Sequence, residues 1–145
     1  MEEKAMSIKG FIEVRKNGVL VATIDNTIVN AGKGFLQSNI ANSSPVTPAY
    51  IVTSDASTAV GASDVTCNAN VLGYHAVTVT KDPAYAYVEF SCTFDTTESN
   101  GTIRSIAICN DDDGTEMFSR GVLDTPITKT TDDTLTVSYK YSLSW

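Results

Sequence analysis

Histidine occurs once, as His75, and tryptophan once, as Trp145. A lone imidazole gives no His/Cys cluster of the kind a catalytic zinc ion needs. The Gly-x-Ser-x-Gly elbow of serine hydrolases is absent. Gly32-Lys33-Gly34 lacks the spacing of a phosphate-binding loop, so no nucleotide site is expected there. No run approaches 18 apolar residues, so no helix is expected to cross a membrane. Basic residues are also few: 10 Lys and Arg stand against 17 Asp and Glu, giving a net charge of -7 and no Lys/Arg run. Such a surface repels phosphate backbones, which argues against a nucleic-acid partner. The three cysteines, Cys67, Cys92 and Cys109, are an odd number without a Cys-x-x-Cys pair. They read as reduced, buried thiols, with a Cys92–Cys109 disulfide left open because sequence does not give its geometry. The start, Met-Glu-Glu-Lys, lacks the basic and apolar regions of a secretory signal, so synthesis and folding in a cytosol are expected.

What the chain does have is strand-forming composition. Its 145 residues suit one domain (1–145) with a real core, and 42% hydrophobic against 19% charged residues place it among folded proteins. Thr, Ser, Val and Ala dominate, which favours strands over helices. Ser7 to Arg15 alternates Ile8, Gly10, Ile12 and Val14 against Lys9, Phe11, Glu13 and Arg15. Lys16-Asn17-Gly18 then supplies a tight turn, because Asn-Gly accepts the positive φ of a type I′ hairpin. Val19 to Ile24 returns, so 7–24 reads as an opening hairpin. Asn30 can cap a short helix over about 31–41, with Phe35, Leu36 and Ile40 at helical spacing.

Further strands are expected over Tyr50–Thr53, Val71–Lys81, Tyr85–Asp95, Thr102–Cys109, Thr115–Leu123 and Asp133–Trp145. Ser54 to Asn70 is the longest irregular segment. The final strand alternates cleanly, with Leu135, Val137, Tyr139, Tyr141, Leu143 and Trp145 opposite Thr134, Thr136, Ser138, Lys140, Ser142 and Ser144. About eight strands and one short helix predict an all-β fold, an antiparallel β-sandwich of jelly-roll-like type, with an immunoglobulin-like Greek key as the alternative.

Three places invite a functional reading. Asn110-Asp111-Asp112-Asp113-Gly114 has the oxygen ligands of a calcium loop. Aligned on the EF-hand, however, it puts Cys109 and Arg120 at ligand positions, so a hairpin turn is expected instead. His75 lies in a strand and reads as a structural or surface residue. Tyr85 and Tyr87 share the face opposite the core of their strand, with Glu89, and are the candidate interaction surface, since tyrosine offers apolar area with a polar handle. No catalytic residue, metal site or cofactor is expected.

Three segments together resemble small virion structural proteins of tailed bacteriophages. They are Val14-Arg15-Lys16-Asn17-Gly18-Val19-Leu20; Asp25-Asn26-Thr27-Ile28-Val29-Asn30-Ala31-Gly32-Lys33 before the helix; and Asn100-Gly101-Thr102-Ile103-Arg104-Ser105-Ile106-Ala107-Ile108, followed by Met117-Phe118-Ser119-Arg120 and Lys129-Thr130. Ser105 stands where an acidic residue would be expected. The resemblance implies a non-enzymatic part of the virion, made in a host cytoplasm: a capsid decoration or cement protein, or alternatively a tail or baseplate component or a glycan-binding receptor module. Its implied partners are other virion proteins and further copies of itself, with no nucleic acid and no membrane.

Overall fold

The computed structural model describes residues 7–25, 27–28, 33, 48–58, 70–82, 84, 87–110 and 117–144. Among these, the protein is an antiparallel β-sandwich of ten strands. They are β1 (Ser7–Lys16), β2 (Val19–Asp25), β3 (Thr27–Ile28), β4 (Tyr50–Ser54), β5 (Val71–Ala76), β6 (Thr78–Lys81), β7 (Tyr87–Phe94), β8 (Gly101–Cys109), β9 (Met117–Lys129) and β10 (Leu135–Ser144). One sheet, here sheet A, has the order β2-β1-β10-β7-β6; sheet B has the order β3-β9-β8-β4-β5. The helix expected at 31–41 lies outside the described residues except for Lys33, which is helical.

The opening hairpin forms for the reason its sequence suggests. Asn17 and Gly18 take φ of 53° and 81°, and β1 pairs antiparallel with β2 on either side of them. β1 then pairs with β10 along its whole length, from Ser7 opposite Ser144 to Lys16 opposite Leu135. β1 with β10, and β3 with β9, are nested pairings of strands distant in the chain. β8 and β9, by contrast, pair directly as consecutive strands.

The core lies between the sheets. Sheet A contributes Ile12, Val14, Phe90, Cys92, Phe94, Leu135, Val137, Tyr139 and Tyr141; sheet B contributes Ile51, Ile103, Ile106, Ile108, Phe118, Leu123 and Ile127. Each large apolar side chain removed from water contributes about 1.5–3 kcal/mol, so this shared layer is what joins the sheets. Tyr139 is fully buried, and its hydroxyl donates to the Ile106 carbonyl across the sandwich at 2.7 Å. A buried phenol keeps its polar end satisfied in this way.

Three elements differ from the sequence expectation. Thr27–Ile28, where no strand is expected, forms β3 at the edge of sheet B. Val71–Lys81 is not one strand: the chain breaks at Val77, so that β5 lies in sheet B and β6 in sheet A. β9 continues six residues past the expected end at Leu123, to Lys129, into what reads as a Thr/Asp-rich connection. The extension is possible because the register slips between Ile103/Ser105 on β8, opposite Val122 and Ile127. Asp124, Thr125 and Pro126 bulge there into solvent. A proline, with no N–H for the ladder, is tolerated at such a bulge.

Candidate interaction surface

The two outward faces of the sandwich differ. On sheet B, Val52, Ala107, Cys109 and Met117 form a second buried cluster on the side away from the core. Ser54, Ser105 and Arg120 are buried on the same side. Arg120 donates to the carbonyls of Thr58 and Ala56 at 2.8 and 3.1 Å and to Ser105 Oγ at 3.1 Å, which fastens the stem of the segment after β4 onto this face. Arg104 adds an ion pair to Asp55 at 2.7 Å.

The outer face of sheet A is open and polar. Alternation along its strands sends Phe11, Glu13 and Arg15 of β1 outward, with Thr136, Ser138, Lys140 and Ser142 of β10 and Tyr87, Glu89, Ser91 and Thr93 of β7. Register sets these side chains in rows. Asp25, Phe11, Lys140, Glu89 and Thr80 are successive cross-strand neighbours, as are Thr23, Glu13, Ser138, Ser91 and Thr78. Lys140 is the centre of the face. Its ammonium lies 3.7 Å from Glu13 Oε1 and 3.7 Å from Glu89 Oε2. It also stands over two rings, 5.9 Å from the centroid of Phe11 and 5.6 Å from that of Tyr87. A cation is attracted to the negative face of an aromatic ring at these distances. Arg15 extends the chain of charge, donating to Glu13 Oε2 at 3.0 Å. At the other end of the face Thr93 and Thr136 share a hydrogen bond of 3.0 Å.

Of the two tyrosines expected to form a surface, Tyr87 lies on this face and is 39% exposed. Tyr85 lies outside the described residues. Reasoning from sequence missed Lys140, Glu13, Glu89 and Phe11 as a group, because they come from three strands whose pairing no local pattern reveals. The available signal was Phe11 on the polar side of its strand, where an aromatic ring needs a reason to be.

His75 is elsewhere, on β5. Its Nδ1 lies 2.8 Å from the Ala76 carbonyl. A carbonyl only accepts, so Nδ1 carries the proton. Nε2 faces Glu98 Oε1 at 3.9 Å, and the ring packs edge-on to Phe94. Glu98 also accepts from the Asp95 amide, and the Asp95 carboxylate accepts from Thr97 N and Oγ1. Those last bonds hold the Asp95 carboxyl below its ordinary range. The contacts of His75 thus brace the loop between β7 and β8 against β5. Cys92 and Cys109 lie in opposite sheets and are not bridged to each other, so the disulfide left open by the sequence does not form. Burial, with Glu98 adding to it, pushes the Cys92 thiol up to about 12. Asp111 to Gly114 and Cys67 lie outside the described residues. Among the described residues no group of three His, Cys, Asp or Glu side chains could hold a metal ion, and no helix is long and apolar enough to cross a membrane.

Scans against protein-family models, curated proteins and solved structures found no match to this chain.

Proposed function

We propose that this protein is a non-enzymatic structural component of a tailed-phage virion, a capsid decoration or cement protein that binds through protein–protein contacts. The observation that carries the reading is the asymmetry of the sandwich. The outer face of sheet B is largely covered, apart from Tyr74 on its edge strand β5, while that of sheet A presents a row of charges and two aromatic rings around Lys140. A part that repeats across a lattice needs such a one-sided, preorganised surface: each copy then gives up little conformational entropy on docking, and many modest contacts sum. The net charge of -7 keeps unassembled copies soluble. On this reading the protein is made in the host cytoplasm and resides in the virion.

The test is loading of the purified protein onto assembled capsid shells, followed by co-sedimentation. Stoichiometric loading that weakens on Tyr87→Ala, with the fold intact by circular dichroism, is the expected result. A second reading, a tail-associated or glycan-binding module, is favoured by the exposed Tyr87 ring amid Ser and Thr hydroxyls, a surface suited to stacking on a sugar. Failure to load at saturating protein, together with glycan-array binding lost on Tyr87→Ala, would move the assignment there.

A further inference from the structure

We propose that the outer face of sheet A is a self-complementary docking surface whose occupant is the same face of a second copy of this chain. The inference names a partner for the surface on which the proposed virion role rests. Four charged side chains form a connected row on the face that alternates in sign: Arg15 and Glu13 along β1, then Lys140 of β10 and Glu89 of β7. The successive gaps are 3.0, 3.7 and 3.7 Å. Read from one end the row is plus, minus, plus, minus; read from the other it is minus, plus, minus, plus. A row with that property is complementary to its own reversal.

A two-fold axis performs this reversal. Closed dimers bring the same patch of both subunits together, so that residue i meets j and j meets i. An axis lying in the plane of the face, crossing the row between Glu13 and Lys140, sets Glu13 against Lys140 of the second copy and Arg15 against Glu89 of the second copy. Each of these four charges then gains an opposite charge and none of them meets its like.

The rest of the face suits this approach. Thr23, Ser138, Ser91 and Thr78, which form the neighbouring row with Glu13, are short. They leave the sheet flat enough for a second sheet to come close. Phe11 and Tyr87, on either side of Lys140, supply apolar area. The total charge of -7 per chain opposes association at long range. The attraction therefore has to come from the local pattern, and that makes it testable by rearranging charges.

The experiment uses the full chain and sedimentation equilibrium. The wild type is expected to associate reversibly to a dimer and no further. Lys140→Glu alone puts like charges opposite each other in the dimer, as does Glu13→Lys alone. Each is expected to weaken self-association by about tenfold or more, the scale of a like-charge juxtaposition at an interface. Mixed together, the two variants form opposite pairs at both contacts, so heterodimers are expected at wild-type strength. Altered stability of either monomer does not produce that recovery.

Arg15→Glu and Glu89→Arg form a second reciprocal pair with the same expected pattern, and they serve if a variant at the more enclosed Lys140 fails to fold. A wild type that stays monomeric at millimolar concentration, or a mixture that associates no better than its parts, overturns the proposal. A monomer that still loads onto capsid shells would overturn this inference alone. A dimer that ignores shells would overturn the capsid assignment alone.

Discussion

Asn17 and Asp133, 116 residues apart, are bonded side chain to side chain: Asn17 Nδ2 donates to Asp133 Oδ1 at 2.8 Å. The bond belongs to a knot of contacts joining the turn between β1 and β2 to the turn before β10. Thr134 N donates to Asn17 Oδ1, and Asn17 N donates to the Thr134 carbonyl. Asp133 Oδ2 accepts from both Thr130 N and Thr130 Oγ1. The Asn17 hydrogen bond first, then that from the Thr130 amide, lowers the Asp133 carboxyl from 3.8 to about 2, with Lys16 adding a smaller share.

This knot makes an acid-labile clasp. A carboxylate held below its ordinary pKa contributes stability that is present above the ordinary value and lost as pH falls through the lowered one. The window here is pH 4 to 2. Asp133→Asn keeps the shape but cannot accept from both Asn17 and Thr130 as a carboxylate does. Urea melts taken between pH 7 and 2 are expected to show the variant less stable at neutral pH and losing less stability between pH 4 and 2. Equal slopes for the two proteins would remove Asp133 from the account.

Gly73 is closed to any side chain. An added Cβ would collide with Ser99 Oγ and lie 2.9 Å from Ser99 N. Ser99 is itself buried at φ 55° and accepts from Thr53 Oγ1 at 2.8 Å. Gly73→Ala is expected to cost about 1–3 kcal/mol, the range for overpacking. Adding Ser99→Gly removes the colliding hydroxyl and suits the positive φ, so it should recover part of the loss. Chemical denaturation of both variants checks this, and full additivity of the two substitutions would count against the collision.

Lys129 is 1% exposed, and its ammonium donates to the Asp95 carbonyl at 2.7 Å and to Asn100 Oδ1 at 2.9 Å. It pins both ends of the loop between β7 and β8. Lys129→Met keeps most of the volume and strands two acceptors. The expected cost is about 2 kcal/mol or more, since each buried group left unsatisfied costs about 1–3 kcal/mol. Amide exchange should quicken at residues 95–100 first. Exchange that rises uniformly over the chain would mean that the lysine acts on the whole core.

Cys92 should be inert in the native protein. Its thiol is pushed up to about 12, and the side chain is buried. The thiolate is the reactive form, so iodoacetamide at pH 8 is expected to leave Cys92 unlabelled until denaturant is added. Peptide mapping by mass spectrometry reads this directly. Labelling of Cys92 under native conditions would show that the sandwich opens there.

Much of the fold was legible because its signals are local. Asn17-Gly18 specifies the turn it forms, and Leu135, Val137, Tyr139 and Tyr141 point inward as their alternation requires. The break at Val77 was not legible. A strand that leaves one sheet for the other needs only a local bend, and Val71–Lys81 keeps an unbroken strand-like composition through it. The end of β9 was hidden by Asp124, Thr125 and Pro126, which have loop chemistry but occupy a bulge; Ile127 and Lys129 beyond them are buried. The surface around Lys140 was half legible. The polar sides of β1, β7 and β10 could be read one strand at a time. Only register places Glu13 and Glu89 beside one lysine, and register is a long-range property.

The place of β10 in sheet A, between β1 and β7, has a consequence for biosynthesis. Until β10 has left the ribosome, β1 with β2 and β6 with β7 are two separate ribbons with nothing between them. Two-stranded ribbons are marginal in water by themselves. The nascent chain therefore has to carry its unfinished sheet, with Ile12, Val14, Phe90 and Phe94 short of their sheet neighbours, until β10 has been made. The closing step then pairs residues from opposite ends of the chain. Such distant pairing is slow because loop-closure entropy must be lost before any contact rewards it. Stalled or truncated chains lacking β10 would be aggregation-prone, and folding chaperones would meet this protein at that stage.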